Sequence, residues 1–325
     1  MSKIEWTDET WNVITGCTQI SPACKNCYAK AMTKRLQGMA IKEAWAKIKC
    51  EKCERGMLND DSNGVIEHFC ECEPRMLKFE APKYYYGWDK VIFHTDMLGH
   101  IFDKKKYPSG CKVFVNSMSD TFHEEVSYLV LKNLFFVMQS RSDVTFQILT
   151  KRPLRMWDFI ISYPDMIRPN MMFGVTAENQ KMADERIKRL LRIKESAKTI
   201  FDMDITIFVS CEPLLEAIDL SKYINELDWV IVGGERANKK GRVMEFEYVR
   251  NIYILCKKSN TPFFFKQWGD CEKAVKDSLV SDDLALTKEI ENTKGFSQIN
   301  LELHSALASV LLSLDIAKEA FKNRK

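Results

Sequence analysis

The sequence predicts an α/β protein built on a parallel sheet that curls into a (β/α) barrel, either a full eight-stranded barrel or a partial one. Three observations carry this. Short apolar, β-branched runs recur at 12–15, 91–94, 113–116, 146–149, 172–175, 207–210, 229–232 and 263–266. Segments with helical periodicity lie between them, at 28–39, 124–139, 154–162, 183–193, 214–225 and 246–258. Near-continuous apolar strands alternating with amphipathic helices indicate a parallel sheet covered by helices. Finally, nearly every strand runs straight into a polar cluster, and parallel α/β folds place their active sites at the carboxyl ends of the strands.

Those clusters are Thr95-Asp96, 116–120 (NSMSD), 150–153 (TKRP), 176–179 (TAEN), 210–213 (SCEP), 233–235 (GGE) and 266–269 (KQWG). Helix capping accounts for one such cluster, because Ser, Thr, Asp and Asn favour N-caps. Seven in succession, several of them charged, exceed that need. Two segments interrupt the alternation. Residues 40–88 form a Cys-rich insert between the barrel parts 1–39 and 89–269, and 270–325 form a C-terminal helical extension. Within the extension, residues 301–321 carry an amphipathic stripe suited to packing on the barrel.

Composition narrows the class. The chain has 325 residues and 46% hydrophobic content, enough for one large domain with attachments. No apolar run approaches the roughly 18 residues of a membrane span, and the N-terminus lacks a signal-peptide core, so a cytoplasmic protein is expected. Eleven cysteines in a reducing compartment then argue for metal or cluster ligation over disulfides. The net charge of +3 does not announce a nucleic-acid binder, although 181–198 carries seven Lys/Arg against three Asp/Glu. Such a run is commonly a solvated helix face.

Residues 16–28 read GCTQISPACKNCY, which spaces Cys17, Cys24 and Cys27 as C-x6-C-x2-C. Three thiolates with no fourth nearby do not close a tetrahedral zinc site. They can hold three corners of a [4Fe-4S] cluster, leaving one iron for a non-protein ligand. Half of a zinc knuckle, completed by a distant Cys or His, is the alternative. A second group, Cys50, Cys53, Cys70 and Cys72, consists of two short-spaced pairs separated by sixteen residues. That plan suits structural zinc, with His68 able to replace one thiolate and an auxiliary iron–sulfur cluster as the competitor. Cys111, Cys211, Cys256 and Cys271 have no partner at metal spacing; Cys211, at a strand end, is a candidate hydrogen-atom donor.

The three-cysteine loop with an aromatic after its last thiol resembles the radical S-adenosylmethionine (SAM) enzymes. Further motifs, IEWTDETWN (4–12), FVNSMSD (114–120), FQILTKRP (146–153), EPL (212–214), WVIVGGE (229–235) and FFFKQWG (263–269), resemble a phage- and bacteria-associated three-Cys-motif family of unknown function, itself similar to a radical-SAM branch. This resemblance implies that Cys17, Cys24 and Cys27 bind a [4Fe-4S] cluster with Tyr28 packed beside it. It makes Gly233, Gly234 and Glu235 candidates for contacts to SAM or substrate, and Lys151 and Arg152 candidates for a carboxylate or phosphate. Asp120, Glu178 and Glu212 would bind ribose hydroxyls or move protons, or else cap a helix or pair with a cation across the barrel mouth; Trp6, Trp11 and Trp268 would form a stacking wall for a base or, as aromatics more commonly do, pack in the core. The implied function is reductive SAM cleavage followed by hydrogen abstraction from a substrate in the barrel mouth, with a reductase or flavodoxin-type electron donor; the basic 181–198 segment, the zinc-like insert and the phage association favour a nucleic acid as that substrate, in base modification or repair. A peptide or small-metabolite substrate, or a non-enzymatic metal-stabilised nucleic-acid-binding protein, are the rival readings.

Overall fold

The structure is a computed structural model describing residues 4–48, 57–60, 65–70 and 73–295. Along the chain run β1 (Glu9–Trp11), β2 (Ile14–Thr15), α1 (Tyr28–Ile48), β3 (Met57–Asp60), β4 (Val65–Cys70), β5 (Glu73–Glu80) and β6 (Ile92–Phe93). They are followed by β7 (Lys112–Val115), α2 (Tyr128–Gln139), β8 (Thr145–Thr150), α3 (Pro153–Ser162), β9 (Met171–Thr176), α4 (Gln180–Phe201) and β10 (Thr206–Cys211). The described part closes with β11 (Trp229–Val232), α5 (Phe246–Ser259), β12 (Phe263–Phe265), α6 (Glu272–Asp277) and α7 (Ser281–Glu291).

Seven strands form one sheet in the order β1-β7-β8-β9-β10-β11-β12. Every pairing in it is parallel. The order is open, so the architecture is a partial (β/α) barrel. Local signals set the helices: Ser127 caps α2 by accepting from the Val130 amide at 3.3 Å, and Asn179 caps α4 by accepting from Met182 at 2.9 Å. Alternation along the strands creates two cores. One face sends Val113, Phe146, Phe173, Val209, Val230 and Phe265 toward the helices, whereas Phe114, Met172, Phe208, Ile231 and Phe264 fill the other around Trp6.

Three expectations are corrected. The run 12–15 is not the first barrel strand. Asn116 Oδ1 accepts from the amides of both Val13 and Ile14 at 3.0 Å, taking the donors a ladder would need. The barrel therefore uses β1 immediately before this turn. Residues 91–94 also lie outside the parallel sheet, because β6 pairs antiparallel with β2, so among the described residues that sheet has seven strands rather than eight. Finally, 214–225 is no helix: the Leu214 amide donates to Gly233 at 3.0 Å and the Leu215 amide to Glu178 at 3.0 Å, which ties the segment across neighbouring strand ends. Only Ile224–Glu226 forms a 3-10 turn there.

Helix α1 runs through residue 39, the expected edge of the insert, to Ile48. Within the insert β3, β4 and β5 form a separate antiparallel sheet, with Cys70 ending β4. Cys50, Cys53 and Cys72, and the stripe at 301–321, lie outside the described residues. The first part of the extension seals one sheet edge: Thr293 accepts the Phe265 amide at 3.3 Å, and Glu291 accepts Trp268 Nε1 at 2.8 Å. No helix among the described residues is long and apolar enough to cross a membrane.

Candidate active site

The cysteine loop leaves β2 through Gly16, whose φ of +85° is left-handed and whose Cβ, were it present, would lie 2.0 Å from the Lys90 carbonyl. Ser119 Oγ donates to the Gly16 carbonyl at 2.6 Å, and the Cys17 amide donates to Trp88 at 2.9 Å. A short 3-10 turn, Pro22–Cys24, carries the second cysteine, and Cys27 immediately precedes α1. All three thiols are free and half-buried.

Each cysteine is flanked by a residue tied to a carboxylate at a strand end. After β7, buried Asp120 accepts from Thr150 Oγ1 at 2.6 Å and from Arg152 Nη1 at 3.0 Å. Arg152 in turn reaches Thr18, the residue after Cys17, donating from Nη2 to Thr18 Oγ1 at 2.9 Å, and Nη1 approaches Cys17 Sγ at 3.7 Å. Its Nε meets Glu124 at 2.7 and 2.9 Å. After β9, fully buried Glu178 accepts the amide of Ala23, the residue before Cys24, at 3.4 Å and pairs with Arg186 at 2.8 Å. After β11, Glu235 accepts from Asn26, the residue before Cys27, at 2.8 Å and from the Arg242 amide at 2.9 Å. The Arg242 side chain binds the same carboxylate and the Pro22 carbonyl.

Electrostatics follow from these contacts. Burial pushes the Cys17 thiol up to about 11, Asp120 adds to the rise, and Arg152 opposes it. Burial pushes Glu235 the same way, but Arg242 and Asn26 override it and hold the carboxyl at about 2. The sequence places Arg152, Glu178 and Glu235 as candidate cofactor contacts; in the fold their charged groups bond to the cysteine loop. All five N–H donors of Arg152 are occupied.

Glu212, Lys266 and Lys151 at the strand ends are partly exposed. Glu212 pairs with Lys266 at 2.7 Å and accepts from Ser210 at 3.0 Å. Gly233 makes room for the pair, since a Cβ there would sit 2.8 Å from Glu212 Oε1. Gly234 allows close backbone approach, with its amide donating to Gln267 at 2.9 Å. The Lys151 ammonium forms no ion pair among the described residues. Tyr28 is 44% exposed, its hydroxyl donating to the Ser117 carbonyl at 2.7 Å.

Several sequence expectations change here. Cys211 is fully buried in the helix-side core, where burial pushes its thiol up; alternation along β10 turns it away from the inner face, so the hydrogen-donor role is not supported. Trp6, Trp11 and Trp268 are 5%, 0% and 1% exposed and pack as core, the commoner of their two expected uses. The cluster Thr95-Asp96 follows β6 and stands outside the ring of parallel strand ends. In 181–198, Arg186, Lys194 and Lys198 are taken by Glu178, Asp228 and Asp204. Sequence reasoning passed over Asn26, Thr18, Arg186 and Arg242 as site residues and carried Lys266 only as a member of the 266–269 cluster. The linear signal for Asn26 and Thr18 is adjacency to a cysteine.

Among the described residues no three His, Cys, Asp or Glu side chains converge closely enough to hold a metal ion. A four-iron cube binds its thiolates at separate corners, and three free thiols on a loop held through neighbouring residues fit that donor set. The fold and site together define a partial (β/α) barrel with a cysteine loop pinned over its strand ends. The chain belongs to the family described as "Protein of unknown function (DUF5131)", whose family model matches residues 1–294. No curated protein and no solved structure matches it.

Proposed function

We propose that this protein is a radical SAM enzyme that modifies or repairs a nucleic acid. The observation that carries the reading is the pinning of all three cysteine flanks, at Thr18, Ala23 and Asn26, to carboxylate networks on three strand ends. Cys17, Cys24 and Cys27 would hold a [4Fe-4S] cluster, which when bound supplies the electron for SAM cleavage to methionine and a 5′-deoxyadenosyl radical. The chain's own residues fix where this happens. Arg152, Glu178 and Glu235 hold the loop, Tyr28 stands at its end, and Lys151 offers a point charge to a carboxylate or phosphate. The Glu212–Lys266 pair offers both an acceptor and a donor to a hydroxylated ligand. Zinc in the insert, on Cys50, Cys53, Cys70 and Cys72, belongs to the same proposal, as does a flavodoxin-type electron donor.

The test is anaerobic. The full chain is reconstituted with iron and sulfide, its iron and zinc are counted, and it is reduced with SAM present while 5′-deoxyadenosine is followed by chromatography. Product that vanishes in the Cys17→Ala/Cys24→Ala/Cys27→Ala variant supports the reading. Zinc at both cysteine groups, no iron and no cleavage would replace it with a metal-stabilised binding module.

A further inference from the structure

The loop after Glu235 reads RANKKGR over 236–242, four cations without a carboxylate. Its backbone is preformed. The Lys240 amide donates to Ala237 at 3.1 Å around Asn238 and Lys239, whose φ values of 52° and 68° are both left-handed. Asp270 Oδ2 fills the loop from inside, accepting from the amides of Ala237 at 2.7 Å and Gly241 at 3.0 Å. Arg242 is occupied by Glu235 and Pro22. Arg236, Lys239 and Lys240 remain exposed, and none forms an ion pair among the described residues.

A second acid-free stretch meets this loop. Residues 25–42 contain five cations, Lys25, Lys30, Lys34, Arg35 and Lys42, and no Asp or Glu. All five are exposed, and among the described residues the one ion pair they form is Lys30 with Asp89 at 3.8 Å, both solvent-facing. The Asn26–Glu235 and Arg242–Pro22 bonds join the two stretches at the cysteine loop. Exposed helix faces ordinarily mix charges of both signs; two acid-free segments converging on one rim, one of them with a fixed backbone, depart from that pattern. Between Lys25 and Lys30 stands the exposed ring of Tyr28.

We infer that the 236–242 loop and the cations of α1 form a phosphate-binding track that leads a single-stranded nucleic acid across the cysteine loop. Cationic tracks with an exposed aromatic bind single strands by phosphate contacts and base stacking. A base presented to the barrel mouth must also be out of its stack. The track's position rests on the proposed reaction, but binding itself does not require a cluster.

The experiment is fluorescence anisotropy with the full chain and labelled 20-nucleotide DNA and RNA single strands and a DNA duplex, across roughly 50 to 300 mM salt. The wild type should bind a single strand more tightly than duplex, with affinity falling as salt rises. The variant Arg236→Ala/Lys239→Ala/Lys240→Ala should bind at least tenfold more weakly. Its salt slope should flatten by about 2, from about 0.7 per phosphate contact. Lys34→Ala/Arg35→Ala should weaken binding in the same direction. The control Lys181→Ala/Lys188→Ala/Arg192→Ala removes as much charge from α4 and should change affinity less than twofold. No binding, preference for duplex, an unaffected loop variant or an equal loss in the control overturns the track. Thermal melts confirm that each variant is folded, and the DNA and RNA arms identify the sugar. Absence of 5′-deoxyadenosine with binding intact would remove the radical chemistry and leave the track standing.

Discussion

Asn26 donates its side-chain amide to Glu235 at 2.8 Å across 209 positions of sequence. Through this contact one carboxylate serves two segments, the flank of Cys27 and the cationic loop held by Arg242.

Replacing Glu235 with Gln should therefore loosen both. Its amide nitrogen would face the Arg242 donors, and loss of charge-assisted bonds should cost about 1.5–3 kcal/mol in urea unfolding at neutral pH. The folded pKa of about 2 lies below the ordinary glutamate value. The stabilisation is therefore complete above about pH 4.3 and is lost as pH falls through the folded value. The melting-temperature gap between wild type and variant should hold from neutral pH to mild acid and close on approach to pH 2. A gap that persists there would assign the effect to packing.

Arg152→Ala should cost about 3–5 kcal/mol, because Asp120 is left buried without its cation. Arg152→Lys keeps the charge but not the fork and should fall between. Iron retained after reconstitution should decline in the same order. Stability within about 0.5 kcal/mol of wild type, the usual range of a surface change, would show that the network does not hold the loop.

The Glu178–Arg186 pair, with side chains 0% and 4% exposed, allows a double-mutant cycle. Glu178→Ala and Arg186→Ala should each cost about 3–5 kcal/mol by stranding a buried charge. The double variant should cost clearly less than their sum. Additive losses would mean that the two side chains act separately.

Two glycine-to-alanine changes should move stability in opposite directions. At Gly234 a Cβ would lie 2.3 Å from the Trp268 carbonyl oxygen, a backbone atom with little room to yield. Gly234→Ala should cost at least about 1–3 kcal/mol. Gly38, within α1, has nothing within 4 Å of its Cβ position, and Gly38→Ala should stabilise by about 0.5–1 kcal/mol. Paired denaturation curves test both.

Much of the fold was legible because its signals are local. Expected strands from 113 onward fall within or overlap β7 to β12, since an apolar β-branched run bounded by polar residues reports a buried strand wherever it packs. Errors came where a group distant in sequence, side chain or backbone, took up the backbone donors. Asn116 redirected the chain after Trp11, and Glu178 and Gly233 drew 214–215 out of a helix that periodicity suggested. Periodicity registers which residues are apolar; it does not register who accepts a given amide.

At the site the same division holds. By itself the sequence determined the spacing of Cys17, Cys24 and Cys27 and the polar ends of the strands, because both are written in consecutive residues. Only the tertiary structure decided that Arg152, Glu178 and Glu235 hold the cysteine loop, that Cys211 and three tryptophans face inward, and that the Asn26–Glu235 and Arg242–Pro22 bonds join the cationic stretches 25–42 and 236–242. A charge takes its role from whichever group the fold brings within about 3 Å, and here those groups come from distant parts of the chain.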